Sequence, residues 1–195
     1  MKIYFYLNTE KFSNCYLVTN EDTMNALIVD PCKISNEILM QIENGPYCLV
    51  AVLITHNHPA HVRGIDTLQK IYSPRIYAAD YDVAQNDITV LKEQGTIMVS
   101  DFHIWYASVP GHSFDAMVYK IGHVLFTGDV LTAGLIGDTD STYAKNTLIT
   151  NIRSKILQKT DSLAVLPGNG PPTSIEAENA FNFMDSLQTS YIESL

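Results

Sequence analysis

The stretch THNHPAH, residues 55–61, contains three of the six histidines in this 195-residue chain. It directly follows LVAVLI, residues 49–54, a continuous apolar run that is typical of a strand covered on both faces. His56 and His58 are two positions apart at the extended end of that strand, so both side chains lie on one face and can chelate one ion. The sequence therefore predicts a metal site at the carboxyl end of a buried strand, where open α/β sheets place their sites.

Strand patterns dominate the first part of the chain, and helical patterns join them toward its end. Strands are predicted at 2–7, 14–19, 26–29, 49–54, 75–78, 96–99, 102–108, 117–120, 124–126 and 164–166. Helices are predicted between Ser35 and Gly45, from Pro59 through Gln69, at 147–159 and at 175–190. This order predicts an α/β (α+β) protein whose sheets pack face to face with the helices outside.

Three further loops follow predicted strands, and each places a glycine beside one polar side chain. They are VPGHS (109–113), FTGD (126–129) and LPGNG (166–170). Glycine lets the backbone bend sharply, which can bring His112, Asp129 and Asn169 toward a common centre.

Composition limits the classes of partner. The formal net charge is −9 and no cluster of Lys or Arg opposes it, which excludes nucleic-acid binding. No apolar run approaches the ~20 residues of a membrane helix, and the first residues do not form a signal peptide. The three cysteines, Cys15, Cys32 and Cys48, are odd in number and lack a metal or redox spacing. We expect a single cytoplasmic domain, residues 1–195, that acts on a small-molecule substrate and has no membrane partner.

Taken in order, the motifs resemble the metallo-β-lactamase superfamily, and more closely its glyoxalase II-like thioester hydrolases. The resemblance rests on NCYLV (14–18), IVDP (28–31), THNHPAHVRG (55–64), PGHS (110–113), LFTGD (125–129) and PGNG (167–170), followed by Thr173, Ile175 and Glu178. It covers nearly the whole chain. It implies an αββα sandwich of two mixed β-sheets flanked by helices, with the site along one edge and no additional C-terminal helical domain.

The resemblance also implies a set of metal ligands. Family members bind one metal through three histidines, which match His56, His58 and His112. An aspartate that matches Asp129 bridges this metal and a second one. Asp30 of the IVDP motif matches an aspartate that can orient a metal-binding histidine.

The second metal site departs from the family pattern. His61 matches one of its ligands, but Ala60 replaces an aspartate and Asn169 replaces the last histidine. A methyl group cannot coordinate a metal, and a neutral amide is a poor ligand compared with imidazole. We therefore expect one bound ion, Zn²⁺, in place of two.

The implied activity is that of a mononuclear hydrolase that cleaves a thioester or ester through a metal-bound water. In this hypothesis Asp129 accepts a hydrogen bond from the water, and Asn169 holds substrate or water. Two alternatives remain open. His56, His112 and Asp129 also match the Fe²⁺ site of persulfide dioxygenases, and the two substitutions fit a catalytically inactive binding protein.

Overall fold

The structure, a computed structural model, describes residues 1–84, 87–158 and 162–182. The strands in these ranges are β1 (Lys2–Asn8), β2 (Ser13–Thr19), β3 (Asn25–Val29), β4 (Cys48–Leu53), β5 (Arg75–Ala78), β6 (Ile88–Val90), β7 (Gln94–Val99), β8 (Phe102–Ser108), β9 (Met117–Ile121), β10 (Val124–Gly128), β11 (Leu131–Thr132), β12 (Leu135–Ile136), β13 (Ala164–Pro167) and β14 (Thr173–Ser174). The α-helices there are α1 (Asn36–Asn44), α2 (Pro59–Val62), α3 (Ile65–Ile71), α4 (Thr142–Asn151) and α5 (Ile175–Phe181). A 3-10 turn spans Tyr81–Val83, and a π-helical segment, Ile152–Leu157, continues α4. None of the helices in the described ranges is long and apolar enough to cross a membrane.

Two six-stranded sheets form the body of the described structure. The first has the order β1-β2-β3-β4-β5-β6, in which β1 to β3 are antiparallel and β3 to β6 are parallel. The second has the order β14-β13-β10-β9-β8-β7, in which β10 and β13 are parallel and the other pairs are antiparallel. Both sheets are therefore mixed, as the sequence motifs imply.

Alternation along β2 shows how the layers pack. All seven residues of this strand are buried, so both of its faces are covered. Leu17 belongs to a core that includes Ile38 of α1, on the helical side of the first sheet. Its neighbour Tyr16 belongs to a core that includes Phe126 of β10, between the two sheets. Successive residues of a strand point to opposite faces, which accounts for these two cores.

A third core covers the outer face of the second sheet. Leu125 of β10 packs in it together with Ile149 of α4 and Ile175 of α5. Helices therefore lie outside both sheets, and the predicted αββα sandwich is confirmed.

The predicted strands are confirmed with small shifts at their ends, but two helices differ. The helix predicted from Pro59 through Gln69 is interrupted before α3 because the Gly64 N–H donates to the Pro31 carbonyl (2.7 Å), outside the helix. The helix predicted at 147–159 begins at Thr142, because the Ser141 hydroxyl accepts from the Ala144 N–H (3.1 Å). The end of that predicted helix, and the part of the 175–190 helix after 182, lie outside the described residues.

Glu178 of α5 is buried and holds the tip of the β11–β12 hairpin. Its carboxylate accepts hydrogen bonds from the Gly134 N–H (3.1 Å), the Thr173 hydroxyl (2.7 Å) and the Asn182 amide (2.6 Å). The Glu178→Ala variant leaves these donors unsatisfied, so we expect the free energy of unfolding to fall by about 2–3 kcal/mol. Urea denaturation measures this loss. Glu176→Ala, an exposed control on the same helix, should change it by less than about 0.5 kcal/mol, and equal losses in both variants would contradict the role of Glu178.

Candidate metal centre

Loops at one edge of the two sheets bring the predicted site residues together. His56 and His58 follow β4, and His112 follows β8. Asp129 follows β10, and Asn169 follows its parallel neighbour β13. Because β10 and β13 run in the same direction, their carboxyl ends lie side by side. The Asn169 amide therefore reaches the Asp129 carboxylate, with Nδ2 donating to Oδ1 over 2.7 Å.

Four donor atoms, one from each of four residues, lie within 4.8 Å of one another at this edge. His56 Nε2 lies 2.8 Å from His58 Nδ1 and 3.7 Å from Asp129 Oδ2. His112 Nε2 lies 3.3 Å from His58 Nδ1 and 3.8 Å from Asp129 Oδ2. Four ligands at about 2.1 Å from a tetrahedral ion are themselves about 3.4 Å apart. The spacing of this group therefore fits one metal ion.

Hydrogen bonds on the far side of two imidazole rings turn lone pairs toward that point. His112 Nδ1 lies 2.8 Å from the Asp138 carbonyl, which can only accept, so Nδ1 carries the hydrogen and Nε2 the lone pair. His56 Nδ1 lies 3.1 Å from the Thr55 hydroxyl, which donates its own hydrogen to Asp30 (2.7 Å). That hydroxyl accepts from His56, which again leaves Nε2 with the lone pair. Such outer partners are the usual way in which proteins fix a metal-binding histidine.

Burial and neighbouring charges keep the converging groups in the protonation states that metal binding requires. Burial, reinforced by His61, lowers the pKa of His56 to about 3. Burial and the neighbouring His112 also lower the pKa of His58. Burial alone would raise the pKa of Asp129, but hydrogen bonding and charge attraction with His61 hold it well below its ordinary value. Near neutral pH these two imidazoles are therefore neutral and the carboxylate is ionised.

No family model matches the chain. A probable metallo-hydrolase of Streptococcus pyogenes is 27% identical to it, over 93% of this chain and 89% of that protein. Hydroxyacylglutathione hydrolase GloC of Haemophilus influenzae is 29% identical, over 89% of this chain and 93% of that protein. The crystal structure of BLEG-1 B3 metallo-β-lactamase is 25% identical, with a TM-score of 0.84 over 94% of this chain and 100% of that chain. In sequence and in fold the chain is similar to proteins of the metallo-β-lactamase superfamily. The resemblance drawn from the sequence motifs is thereby confirmed.

Asp30 binds residues that surround the candidate metal centre. It directly follows β3 and has a φ of 51°, in the left-handed region that Asp tolerates better than most residues. Its Oδ1 accepts from the Thr55 N–H (2.8 Å), and its Oδ2 lies 3.2 Å from His61 Nδ1. The structure therefore places Asp30 as the predicted orienting partner, in contact with His61 directly and with His56 through Thr55.

His61 lies behind Asp129 and is fully buried. Its Nδ1 faces Asp30, and its Nε2 lies 3.3 Å from Asp129 Oδ2. Burial alone would lower the pKa of His61, but the carboxylates of Asp30 and Asp129 raise it to about 10. An imidazole protonated on both nitrogens has no lone pair for a metal, and His61 is outside the group of four converging donors. Its role as a metal ligand stays a prediction.

The two substituted positions of the superfamily pattern hold neighbouring loops in place. The Ala60 carbonyl accepts from the Ser13 hydroxyl (3.1 Å), which ties α2 to β2. The Asn169 amide binds Asp129 Oδ1, on the carboxylate oxygen that is not directed at the histidines. Asn169 thus contributes a side-chain hydrogen bond where the family pattern has a metal ligand, whereas the bond at Ala60 comes from the backbone.

The sequence did not indicate Asp115, a buried residue that fixes the histidine loop. Its Oδ2 accepts from the N–H of Asn57 over 2.7 Å, and Asn57 lies between His56 and His58 in the sequence. Asp115 belongs to the loop after β8, far from Asn57 in sequence, and no spacing rule connects the two. Only the packing of the two sheets brings them together.

Removing the negative charge of Asp30 should weaken metal binding. In the Asp30→Asn variant an NH2 group replaces one of the two carboxylate oxygens that accept from Thr55 and His61, so part of the hydrogen bonding that orients the histidines is lost. We expect zinc affinity to fall by about 10- to 100-fold. A competition titration against a chromophoric chelator measures this fall. Asp66→Asn on α3, an exposed control, should keep the original affinity, and an Asp30→Asn protein that did the same would contradict the role of Asp30.

Proposed function

We propose that the chain is a mononuclear zinc hydrolase that cleaves a thioester or ester bond in a small molecule. The observation that carries the proposal is the convergence of three imidazole nitrogens and one carboxylate oxygen, with two of the nitrogens turned inward by hydrogen bonds. The similarity to hydroxyacylglutathione hydrolase GloC supports a thioester as the bond that is cleaved.

Nitrogen and carboxylate ligands in this number suit zinc. When held by His56, His58 and His112, the ion would keep a fourth position for a water molecule, which it would acidify, and it would polarise the carbonyl group of a substrate. Asn169 donates to Asp129 Oδ1 and so keeps Oδ2 directed at the three histidines. Asp129 Oδ2 is thus the carboxylate oxygen available at the centre, and we assign it to hold the attacking water by a hydrogen bond.

Exposed apolar side chains close in sequence to ligands of the centre, or in the helix that follows them, support an apolar group in the substrate. Phe114, two residues after His112, is 79% exposed. Tyr143, at the start of α4, is 83% exposed, and Leu135, in the hairpin that follows Asp129, is 66% exposed. Large apolar side chains gain free energy when a substrate covers them. We therefore infer that the acyl part of the substrate is apolar and packs against these side chains.

Truncation of Phe114 tests this part of the proposal. In Phe114→Ala we expect KM for an aromatic or long-chain acyl thioester to rise by about tenfold, which corresponds to about 1.4 kcal/mol of lost contact. We expect kcat to stay within about twofold because no ligand of the centre is altered. Steady-state kinetics separate the two constants. Phe181→Ala on α5, at a phenylalanine of similar exposure (70%), is the control, and an unchanged KM in Phe114→Ala would contradict apolar recognition here.

A persulfide dioxygenase uses two histidines and one carboxylate around iron, and His56, His112 and Asp129 offer such a set. An iron site of that kind leaves positions open for oxygen and substrate. Here His58 Nδ1 lies 2.8 Å from His56 Nε2 and 3.3 Å from His112 Nε2, where it would fill one of those positions. This third nitrogen supports zinc hydrolysis over oxygenation.

The test of the proposed function compares the zinc-loaded protein with the same protein stripped by a chelator. We expect release of free thiol from acyl thioesters by the loaded protein, no release by the stripped protein, and recovery when zinc is restored. An iron-loaded sample given a low-molecular-weight persulfide should consume no oxygen. Oxygen uptake would replace the hydrolase with the dioxygenase, and no activity in either assay would favour the inactive binding protein.

A further inference from the structure

Two buried cysteines, Cys15 and Cys32, lie at the same end of the β2–β3 pair. These strands are antiparallel, with Tyr16 opposite Val29, so the residue before Tyr16 and the segment after Val29 lie together. Each cysteine is 2% exposed, and both belong to the core between the first sheet and its helices. The spacing of the cysteines in the sequence gives no indication of this pairing, because it arises from the strand register.

The side chains of the two cysteines influence each other. The Cys32 thiol donates to the Asp30 carbonyl (3.4 Å), which leaves its sulfur free to accept from Cys15. This contact with Cys32, together with burial, raises the pKa of Cys15. The same contact lowers the pKa of Cys32, although burial opposes the change. Of the two, Cys32 is therefore the thiol that ionises more readily, and the thiolate is the nucleophilic form.

A cavity of about 340 Å³ lies against the two cysteines. It lies between β1 and the start of α1, and Cys15 and Cys32 are among the residues that line it. Lys33 and Glu10 also line it and form an exposed ion pair (2.6 Å). A molecule as small as hydrogen peroxide can therefore reach a thiol pair that is otherwise buried.

We propose that Cys15 and Cys32 form a reversible intramolecular disulfide when a hydroperoxide enters this cavity. The Cys32 sulfur attacks a peroxide oxygen, so that an S–O bond forms while the O–O bond breaks, and the departing oxygen leaves, protonated, as water or an alcohol. The Cys15 sulfur then attacks the Cys32 sulfenic acid. The S–S bond forms as the S–O bond breaks, and hydroxide takes the Cys15 proton and leaves as water. Two thiols lose two electrons and two protons, and one peroxide is reduced.

Formation of the disulfide would also affect the metal centre, because Cys32 is two residues after Asp30. Asp30 holds Thr55 and His61. The Pro31 carbonyl between them accepts from the Gly64 N–H (2.7 Å), just after the helix that carries His61. Drawing Cys32 toward Cys15 therefore displaces the segment that orients the ligands, and oxidation should weaken metal binding. This link rests on the proposed metal centre, whereas the disulfide itself does not.

The experiment uses the full chain with Cys48→Ser, which removes the exposed cysteine and leaves the buried pair. After hydrogen peroxide treatment we expect both thiols to be lost in a thiol count under denaturing conditions. We also expect a chain two hydrogen atoms lighter and a peptide that joins Cys15 to Cys32, all reversed by dithiothreitol. Adding Cys15→Ser or Cys32→Ser should abolish the cross-link. The result for the Cys48→Ser chain is decisive by itself, because this chain keeps both buried cysteines.

Two thiols still countable after treatment, or two cysteines oxidised separately to sulfinic acids, would overturn the disulfide. Zinc titration of the oxidised and reduced Cys48→Ser proteins tests the link, with an expected fall in affinity of about tenfold on oxidation. A cross-linked chain with unchanged zinc affinity would overturn the link to the centre. Neither readout depends on turnover, so a failure to hydrolyse thioesters would leave both results standing.

Discussion

Replacing His112 by alanine is expected to abolish thioester hydrolysis and most metal binding. His112 Nε2 is one of the four converging donors, and its lone pair is directed at the centre by the hydrogen bond from Nδ1 to the Asp138 carbonyl. No other side chain can supply that nitrogen from the loop after β8. Loss of an outer partner already costs about 10- to 100-fold in metal affinity, so loss of the ligand itself should cost more than about 100-fold in activity.

Steady-state hydrolysis at fixed zinc concentration measures the effect, and His103→Ala is the matched control. His103 is an exposed histidine on β8, the strand that leads to the His112 loop. The control should keep both activity and zinc content. Circular dichroism checks that both variants fold. A folded His112→Ala protein with intact activity would refute the hydrolase proposal.

The double variant Ala60→Asp with Asn169→His should bind about two metal ions per chain in place of about one. The first change restores a carboxylate beside His61, and the second restores an imidazole beside Asp129. With a second cation at Asp129, His61 should lose its proton and become available as a ligand. We expect turnover to increase because a second ion adds charge stabilisation of the transition state.

Metal content and kcat are measured for the double variant and for each single variant. Each single change supplies only part of the missing set, so occupancy in both should stay near one ion per chain. Occupancy near one in the folded double variant would show that the second site has been mapped onto the wrong residues.

The four residues with converging donor atoms could be predicted from the sequence because local patterns and the motif resemblance indicate them. His56 and His58 directly follow a buried apolar strand, and the glycine loops mark His112 and Asp129. The fold followed from the order of strand and helix patterns together with the motif resemblance. These features depend on neighbours in sequence, or on spacing along one element.

The parts that could not be predicted depend on contacts between distant segments. The break before α3 arises because Gly64 approaches Pro31, and no sequence pattern around Gly64 predicts that contact. Asp115 reaches Asn57 only after the sheets have packed. Short strands such as β6 and β14 were missed because two or three residues are too few to show a period.

The central claim is that one metal ion is bound where His56, His58, His112 and Asp129 converge. Elemental mass spectrometry of the purified, zinc-replete protein tests it most directly, with His56→Ala measured in parallel. We expect about one zinc per chain in the original protein and a near-complete loss in the variant. A folded protein that carries no metal under replete conditions, or a variant that keeps its zinc, would contradict the account.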